Sequence, residues 1–259
     1  MRFAEDFQKT RAPRQGASVF WIGQAGFALK TGMGQSILID PYLTDSVHES
    51  LRAEYGMGFK RLSPALFAPQ ELQPDYLLIS HEHGDHLDTG AVADLCGPHT
   101  RCLCSEPCVP VLTACGVPEK QIRTMRPGDR ACCGDFICDA TMSNHGPETP
   151  GTLGFLIRTG EVCIYYSGDT CLDEAVIAPV RLYRPTLALL PVNGAFGNLN
   201  GEQAAEMAAS IGARLCVPHH FWTFPLHYGD PMEAVRAFEE KGKTQLVLLT
   251  PGERLDLEG

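Results

Sequence analysis

"ISHEHGDHLD", residues 79–88, follows the apolar run Tyr76-Leu77-Leu78-Ile79 and sets three histidines, His81, His83 and His86, among the carboxylates Glu82, Asp85 and Asp88. A short apolar run closing on a polar, glycine-containing segment reads as a buried strand running into a loop. On an extended segment leaving that strand, side chains two residues apart point the same way, so His81 and His83 can share one metal ion. Gly84 permits a sharp bend, after which Asp85 and His86 turn toward a neighbouring point and form a second half-site. Imidazole nitrogen and carboxylate oxygen suit zinc, manganese or iron, and two such clusters side by side suggest a dinuclear centre. The alternative is a polar loop of solvated histidines with Asp88 capping the next helix. Against it stands the expense of desolvating so many ionisable groups without a metal.

A local cluster supplies four ligands at most, and three later strand ends offer the rest. His145 lies in "TMSNHGPETPG" beside a glycine. Asp169 lies in "IYYSGDTC", where the two oxygens of a carboxylate could bridge two cations. "VPHHFWTF" presents His219 and His220 after the strand "RLCV".

Around these points the chain alternates short β-type runs with turns and a few helices. "SVFWI", "GFALK" and "SILID" suit an opening antiparallel meander. "TGAVADLC" and "PCVPVLTACG" read as short helices flanking the strand "TRCLC". "FICDATMSNHG", "GFLIRTG" and "EVCIYYSGD" form a second strand-rich block. "TLALLPV", "RLCVPHHF" and "QLVLLTPG" then alternate as strands with helices at "GEQAAEMAASIG" and "DPMEAVRAFEEKG". No repeat or low-complexity linker divides the chain, so residues 1–259 read as one domain. Residues 43–75 carry several prolines and no clear period, and read as a long excursion over the fold, a lid or binding loop.

Composition narrows the function. The chain has 259 residues, 44% hydrophobic and 20% charged, and a formal net charge of -10. That balance argues against a large nucleic-acid footprint. The polar first residues lack a signal-peptide core, and no apolar run reaches the roughly 20 residues of a membrane span, so a cytoplasmic protein is expected. The eleven cysteines then read as reduced thiols filling small apolar sites, with a metal knot at Cys102, Cys104, Cys108 and Cys115 as the other reading. There is no G-x-S-x-G elbow to suggest a serine nucleophile.

The ordered set H-x-H-x-D-H, a later histidine, "SGDT" and a last histidine after an apolar strand resembles the metallo-β-lactamase superfamily of metal-dependent hydrolases. The likeness runs from "FWIGQAGFALKT" and "LIDPYLTDS" to "QLVLLTPGE". It is strongest toward the L-ascorbate-6-phosphate lactonase-like branch, through "WIGQAGF", "IDPYLTDS", "HEHGDHLD", "YYSGDT", "LPVNG" with "NLNGEQAAEMA", and "PHHFWTFPLHYGDP". The resemblance implies an α/β four-layer αββα sandwich with two divalent ions, zinc or manganese or else iron, at one edge. It implies that His81, His83 and His145 hold one ion, that Asp85, His86 and His220 hold the other, and that Asp169 bridges them. His219 becomes a residue that packs or supports a ligand, and Asp40 supports the metal loop from behind.

Two ions so bridged would turn a shared water into hydroxide near neutral pH, oriented by Asp85, with no covalent intermediate. The substrate implied is a small anionic lactone resembling a sugar-acid phosphate lactone. Lys60 and Arg61 are candidate contacts for its anionic part and Asn193 for a polar group, although each has a bland reading as a solvated or turn residue. His227 and His48 could touch substrate or face solvent. A phosphodiesterase acting on a small phosphodiester or cyclic nucleotide is the rival hydrolase, and a metal-dependent binding or sensing protein is the rival from another class. The expected partner is a small molecule, with neither nucleic acid nor membrane, and a homo-oligomer is possible.

Overall fold

The computed structural model describes residues 3–226 and 229–259. Helix α1 (Phe3–Lys9) precedes strands β1 (Ala17–Gly23), β2 (Gly26–Thr31) and β3 (Ser36–Ile39), which form the expected antiparallel meander. Helix α2 (Ser46–Tyr55) then leads to β4 (Tyr76–Ile79), α3 (Val92–Leu95), β5 (Arg101–Cys104), α4 (Cys108–Ala114) and β6 (Ile122–Thr124). Strands β3 to β6 are parallel neighbours. A second sheet opens with β7 (Arg130–Cys133), β8 (Phe136–Met142), β9 (Leu153–Thr159) and β10 (Val162–Tyr166), all antiparallel. It continues in parallel through β11 (Leu187–Pro191), β12 (Leu215–His219) and β13 (Gln245–Leu246), connected by α5 (Glu174–Arg181), α6 (Gly201–Ser210) and α7 (Pro231–Lys241). Finally, β14 (Arg254–Leu257) returns to the first sheet and pairs antiparallel with β1.

Among the described residues each sheet therefore has seven strands, four antiparallel followed by a parallel run. Strand β1 is buried along its whole length because both faces are covered. Alternation divides it: Val19 and Trp21 join the core shared with the second sheet, while Phe20 and Ile22 pack outward with Phe7, Leu87, Leu95 and Leu112. Helices α5, α6 and α7 cover the second sheet through Val176, Ala204 and Phe238, among others. The result is the αββα sandwich expected from the sequence.

The strand directions decide where the functional side chains gather. Strands β8 and β10 both run antiparallel to β9, hence parallel to each other, and β12 follows β10 through β11 in the same sense. Their C-terminal ends, carrying residues 145, 169 and 220, thus open on one edge of the second sheet. The loop after β4 meets them from the first sheet: Leu153 N donates to the Ser80 carbonyl at 3.0 Å.

Several elements depart from the sequence reading. The excursion at 43–75 contains the ten-residue helix α2, which ends at Gly56 with a left-handed φ of 75°. None of its residues is fully buried, which is why no strong apolar period marked it. Phe67, within the excursion, is buried in the outer core. "QLVLLTPG" is a strand only at Gln245–Leu246, and the missed strand β14 is an edge strand with polar Arg254 and Asp256 turned outward. Buried Cys102, Cys104 and Cys108 pack in the outer core, where desolvation pushes the Cys104 thiol up to about 12. That matches their reading as small apolar fillers.

Asp88 ties the start of the excursion to the histidine loop. Its carboxylate accepts from Leu43 N at 2.8 Å, Thr44 N at 2.7 Å and Thr44 Oγ1 at 2.6 Å. It also accepts from Gly90 N at 3.0 Å. Asp88→Ala leaves these donors in a largely dry place. The expected loss is about 3 kcal/mol, measured as a lower urea midpoint with the slope unchanged.

Candidate metal centre

The histidine loop is bent by its own backbone. The His83 carbonyl accepts from His86 N at 2.9 Å and Leu87 N at 2.8 Å, and Leu87 plugs into the outer core. Glycine is not required at the bend itself: Gly84 has no left-handed φ, and a Cβ there would lie 3.4 Å from Val47 Cγ2 on α2, an ordinary contact. At Asp169 the backbone does need glycine. Gly168 has φ +62°, and a Cβ on it would sit 2.6 Å from the Leu153 carbonyl oxygen. The loop holding His145 is fastened to the Asp169 loop by Ser143 Oγ to the Asp169 carbonyl, 2.7 Å, and Asn144 Nδ2 to Asp173, 2.7 Å.

These constraints bring all seven expected ligands together. Among the described residues, His81, His83 and His145 form one group of donor atoms lying within 4.8 Å of one another, and Asp85, His86 and His220 form a second. Asp169 reaches both groups. One oxygen lies 3.2 Å from His86 Nε2, and the other lies 3.3 Å from His220 Nε2 and 3.7 Å from His145 Nε2. Ligands about 2.0–2.1 Å from a tetrahedral ion are about 3.3 Å apart, so spacings such as the 3.0 Å between the His81 and His83 nitrogens fit shared cations. Apart from their 3.2 Å approach to each other, His86 Nε2 and Asp169 Oδ1 are buried with no hydrogen-bond partner among the described residues.

A third group, Asp40 with His81 and His86, is also compact. Asp40 is already saturated, however. It accepts from Ser80 N at 2.8 Å, Tyr166 Oη at 2.6 Å and the Ser80 hydroxyl, and it contacts His86 Nδ1 at 2.7 Å. It therefore sits behind the His86 ring and directs the opposite nitrogen, Nε2, toward Asp169.

The electrostatics favour positive charge here. Burial opposes charging His86, but the Asp169 and Asp85 carboxylates outweigh it and hold its pKa well above the ordinary value. Burial likewise opposes charge on His220, yet Asp169 and Asp85 lift it to about 9. His81 and His145 are pushed down, first by burial, and so present neutral nitrogens. The donor set and its field fit divalent cations, whose binding would displace the protons on His86 and His220.

Other sequence candidates lie elsewhere. His219 is fully buried, its ring stacked on Tyr166 at 5.4 Å and edge-on to Phe27 at 5.6 Å. Lys60 pairs with Asp45 at 2.9 Å, and Arg61 is spent on the Ser63 and Tyr42 carbonyls, each at 2.8 Å. Neither lines the cavity above the cluster. Asn193 is outside that lining too, with both amide atoms buried and unpartnered among the described residues. His48 is turned inward, its side chain only 15% exposed. His227 lies outside the described residues.

Two supporting residues escaped the sequence reading. Gln24 Nε2 donates to Asp85 Oδ2 at 2.8 Å and lies 3.2 Å from the His220 ring nitrogens, while its carbonyl accepts from His220 N at 3.0 Å. Asn198 Nδ2 donates to Asp169 Oδ2 at 2.7 Å. A buried glutamine interrupting "WIGQAGF" was the available signal for the first. Gln24→Ala is expected to weaken metal binding at the Asp85, His86 and His220 group by about tenfold, read by competition with a chromogenic chelator.

Residues 35–221 match the family model of the beta-lactamase superfamily domain. The chain therefore belongs to this family, as a metal-dependent hydrolase of the metallo-β-lactamase superfamily. Among its relatives, a UPF0173 metal-dependent hydrolase of Pyrobaculum arsenaticum is 30% identical over 242 residues, covering 92% of this chain and 98% of that one. The fold is shared with Igni18, a metallo hydrolase of Ignicoccus hospitalis, at a TM-score of 0.72 and 23% identity, covering 94% of this chain and 99% of that one. A possible metal-dependent hydrolase from Veillonella parvula superposes at a TM-score of 0.75 and 14% identity, covering 93% and 99% of the two chains.

Proposed function

We propose that the chain works with two divalent ions, zinc, manganese or iron, and opens a small cyclic ester. The observation that carries this reading is the reach of Asp169 into both ligand groups at the floor of an open cavity of about 370 Å³. His81, His83 and His145 would hold one cation, and Asp85, His86 and His220 the other, with Asp169 serving both. When bound, the pair supplies Lewis acidity, polarising a carbonyl and lowering the pKa of water.

The protein's own residues set the geometry. Asp85 lines the cavity with its carboxylate steadied by Gln24, a position from which it can accept a hydrogen bond from an attacking water. Asp40 and Ser80 fix the rings of His86 and His81, with Ser80 Oγ 2.9 Å from His81 Nδ1. Helix α2 and Phe59, part of the lid-like excursion, roof the site through Val47 and Leu51 and limit bulk water. We place this chemistry in the reducing cytoplasm, a reading supported by the free thiols of Cys104 and Cys108 buried in the outer core.

The test is hydrolysis of a lactone panel and of bis-p-nitrophenyl phosphate before and after metal is removed with a chelator. Lactone turnover that is lost with the metal and restored on its return is expected. Turnover of the phosphodiester alone would replace this reading with a phosphodiesterase. Bound metal without any turnover would favour a binding or sensing role.

A further inference from the structure

The cavity walls say what accompanies the reacting ester. Above the ligand residues they are Val47, Leu51, Phe59, Phe196, Phe224 and Leu226, and no lysine or arginine is among the described lining residues. Phe224 is wedged against Tyr42 and Phe59, with ring centroids 5.4 Å away in each case, which makes a firm apolar wall. The nearest cations in sequence, Lys60 and Arg61, are committed to Asp45, Ser63 and Tyr42. Apart from the histidines at the floor and the ions they would hold, the described lining offers a phosphate or carboxylate on the substrate no cationic side chain.

The mouth is built to present apolar surface. Phe196 is 70% exposed and Leu226 56% exposed, although both line the cavity. Phe196 is held at a φ of 54°, a conformation bulky residues rarely adopt and one that clusters at ligand clamps. A volume of about 370 Å³ lies at the lower end of ordinary ligand pockets, about 300–1,000 Å³, which limits how much of the guest can be enclosed.

Building on the hydrolase reading above, we infer that the substrate is an uncharged lactone or ester carrying a short to medium alkyl or acyl chain, which lies against Leu51, Phe59 and Phe224. The anionic substituent expected from the sequence has no place in it. The chain would be transferred from water onto these side chains, and each methylene would add binding until the cavity is full.

Two parallel measurements test this on the metal-loaded protein. One is kcat/KM for γ-lactones differing only in alkyl length, together with a carboxylated lactone of matched size. The other is calorimetric binding of the corresponding γ-alkyl lactams. We expect both to rise by up to about fourfold per methylene before levelling off, with the carboxylated lactone slower than its neutral partner. Leu51→Lys, on the exposed helix α2, should abolish the alkyl gain and favour the carboxylated lactone, with metal content unchanged. Lactone turnover that is flat with chain length, or faster for the carboxylated compound, would overturn the inference and leave the hydrolase reading intact. Lactam affinity that rises with chain length without any lactone turnover would support the apolar site and overturn the cyclic-ester reading. Neither turnover nor chain-dependent binding would overturn both.

Discussion

Asp169→Ala is expected to strip at least one metal ion from the chain and to lower kcat/KM by at least about a hundredfold. Among the described residues, Asp169 is the one side chain whose oxygens approach His86, His145 and His220 together, so removing it breaks the link between the two groups. Loss of a partner outside the ligand set commonly lowers metal affinity or activity 10–100-fold, and loss of a shared ligand should reach at least the upper end. Removing its charge also takes away the main attraction that raises the pKa of His86, so the pocket becomes less favourable to any cation. The check is elemental analysis of wild type and variant purified side by side, with far-UV circular dichroism to show an intact fold. Full metal content in the variant would contradict the bridging role.

Asp40→Asn probes the same centre from behind and should lower affinity for the second ion by about 10–100-fold. A carboxylate only accepts, so its 2.7 Å contact with His86 fixes a proton on Nδ1 and leaves Nε2 free to bind metal. An asparagine amide turned toward the ring donates instead, and the proton moves to Nε2. Asparagine also tolerates the positive φ of 42° at this position, which makes it gentler on the backbone than alanine. Chelator competition measures the affinity, and the urea midpoint of metal-free protein reports any structural loss separately. Unchanged affinity would show that the ring needs no partner.

How much of this was legible in the sequence depends on where each residue's partners lie. The histidine loop could be read because its ligands are neighbours in the chain and follow an unmistakable apolar strand. The downstream candidate ligands His145, Asp169 and His220 could be read as polar residues at strand ends, but it is the common direction of β8, β10 and β12 that brings them to one edge. Gln24 and Asn198 were missed because each supports a ligand far away in sequence, and neither residue type alone suggests metal chemistry. Helix α2 was missed because its apolar residues face a cavity and no closed core. Lys60 and Arg61 were chosen for their charge, whereas their orientation depends on Asp45 and Tyr42, contacts that sequence spacing does not reveal.

The most direct test of the central claim is metal stoichiometry: elemental analysis of the wild-type chain purified without chelator, then calorimetric titration of the stripped protein with zinc or manganese. The two-site centre predicts about two ions per chain, taken up with release of protons from His86 and His220. A chain that neither retains nor takes up metal would contradict it.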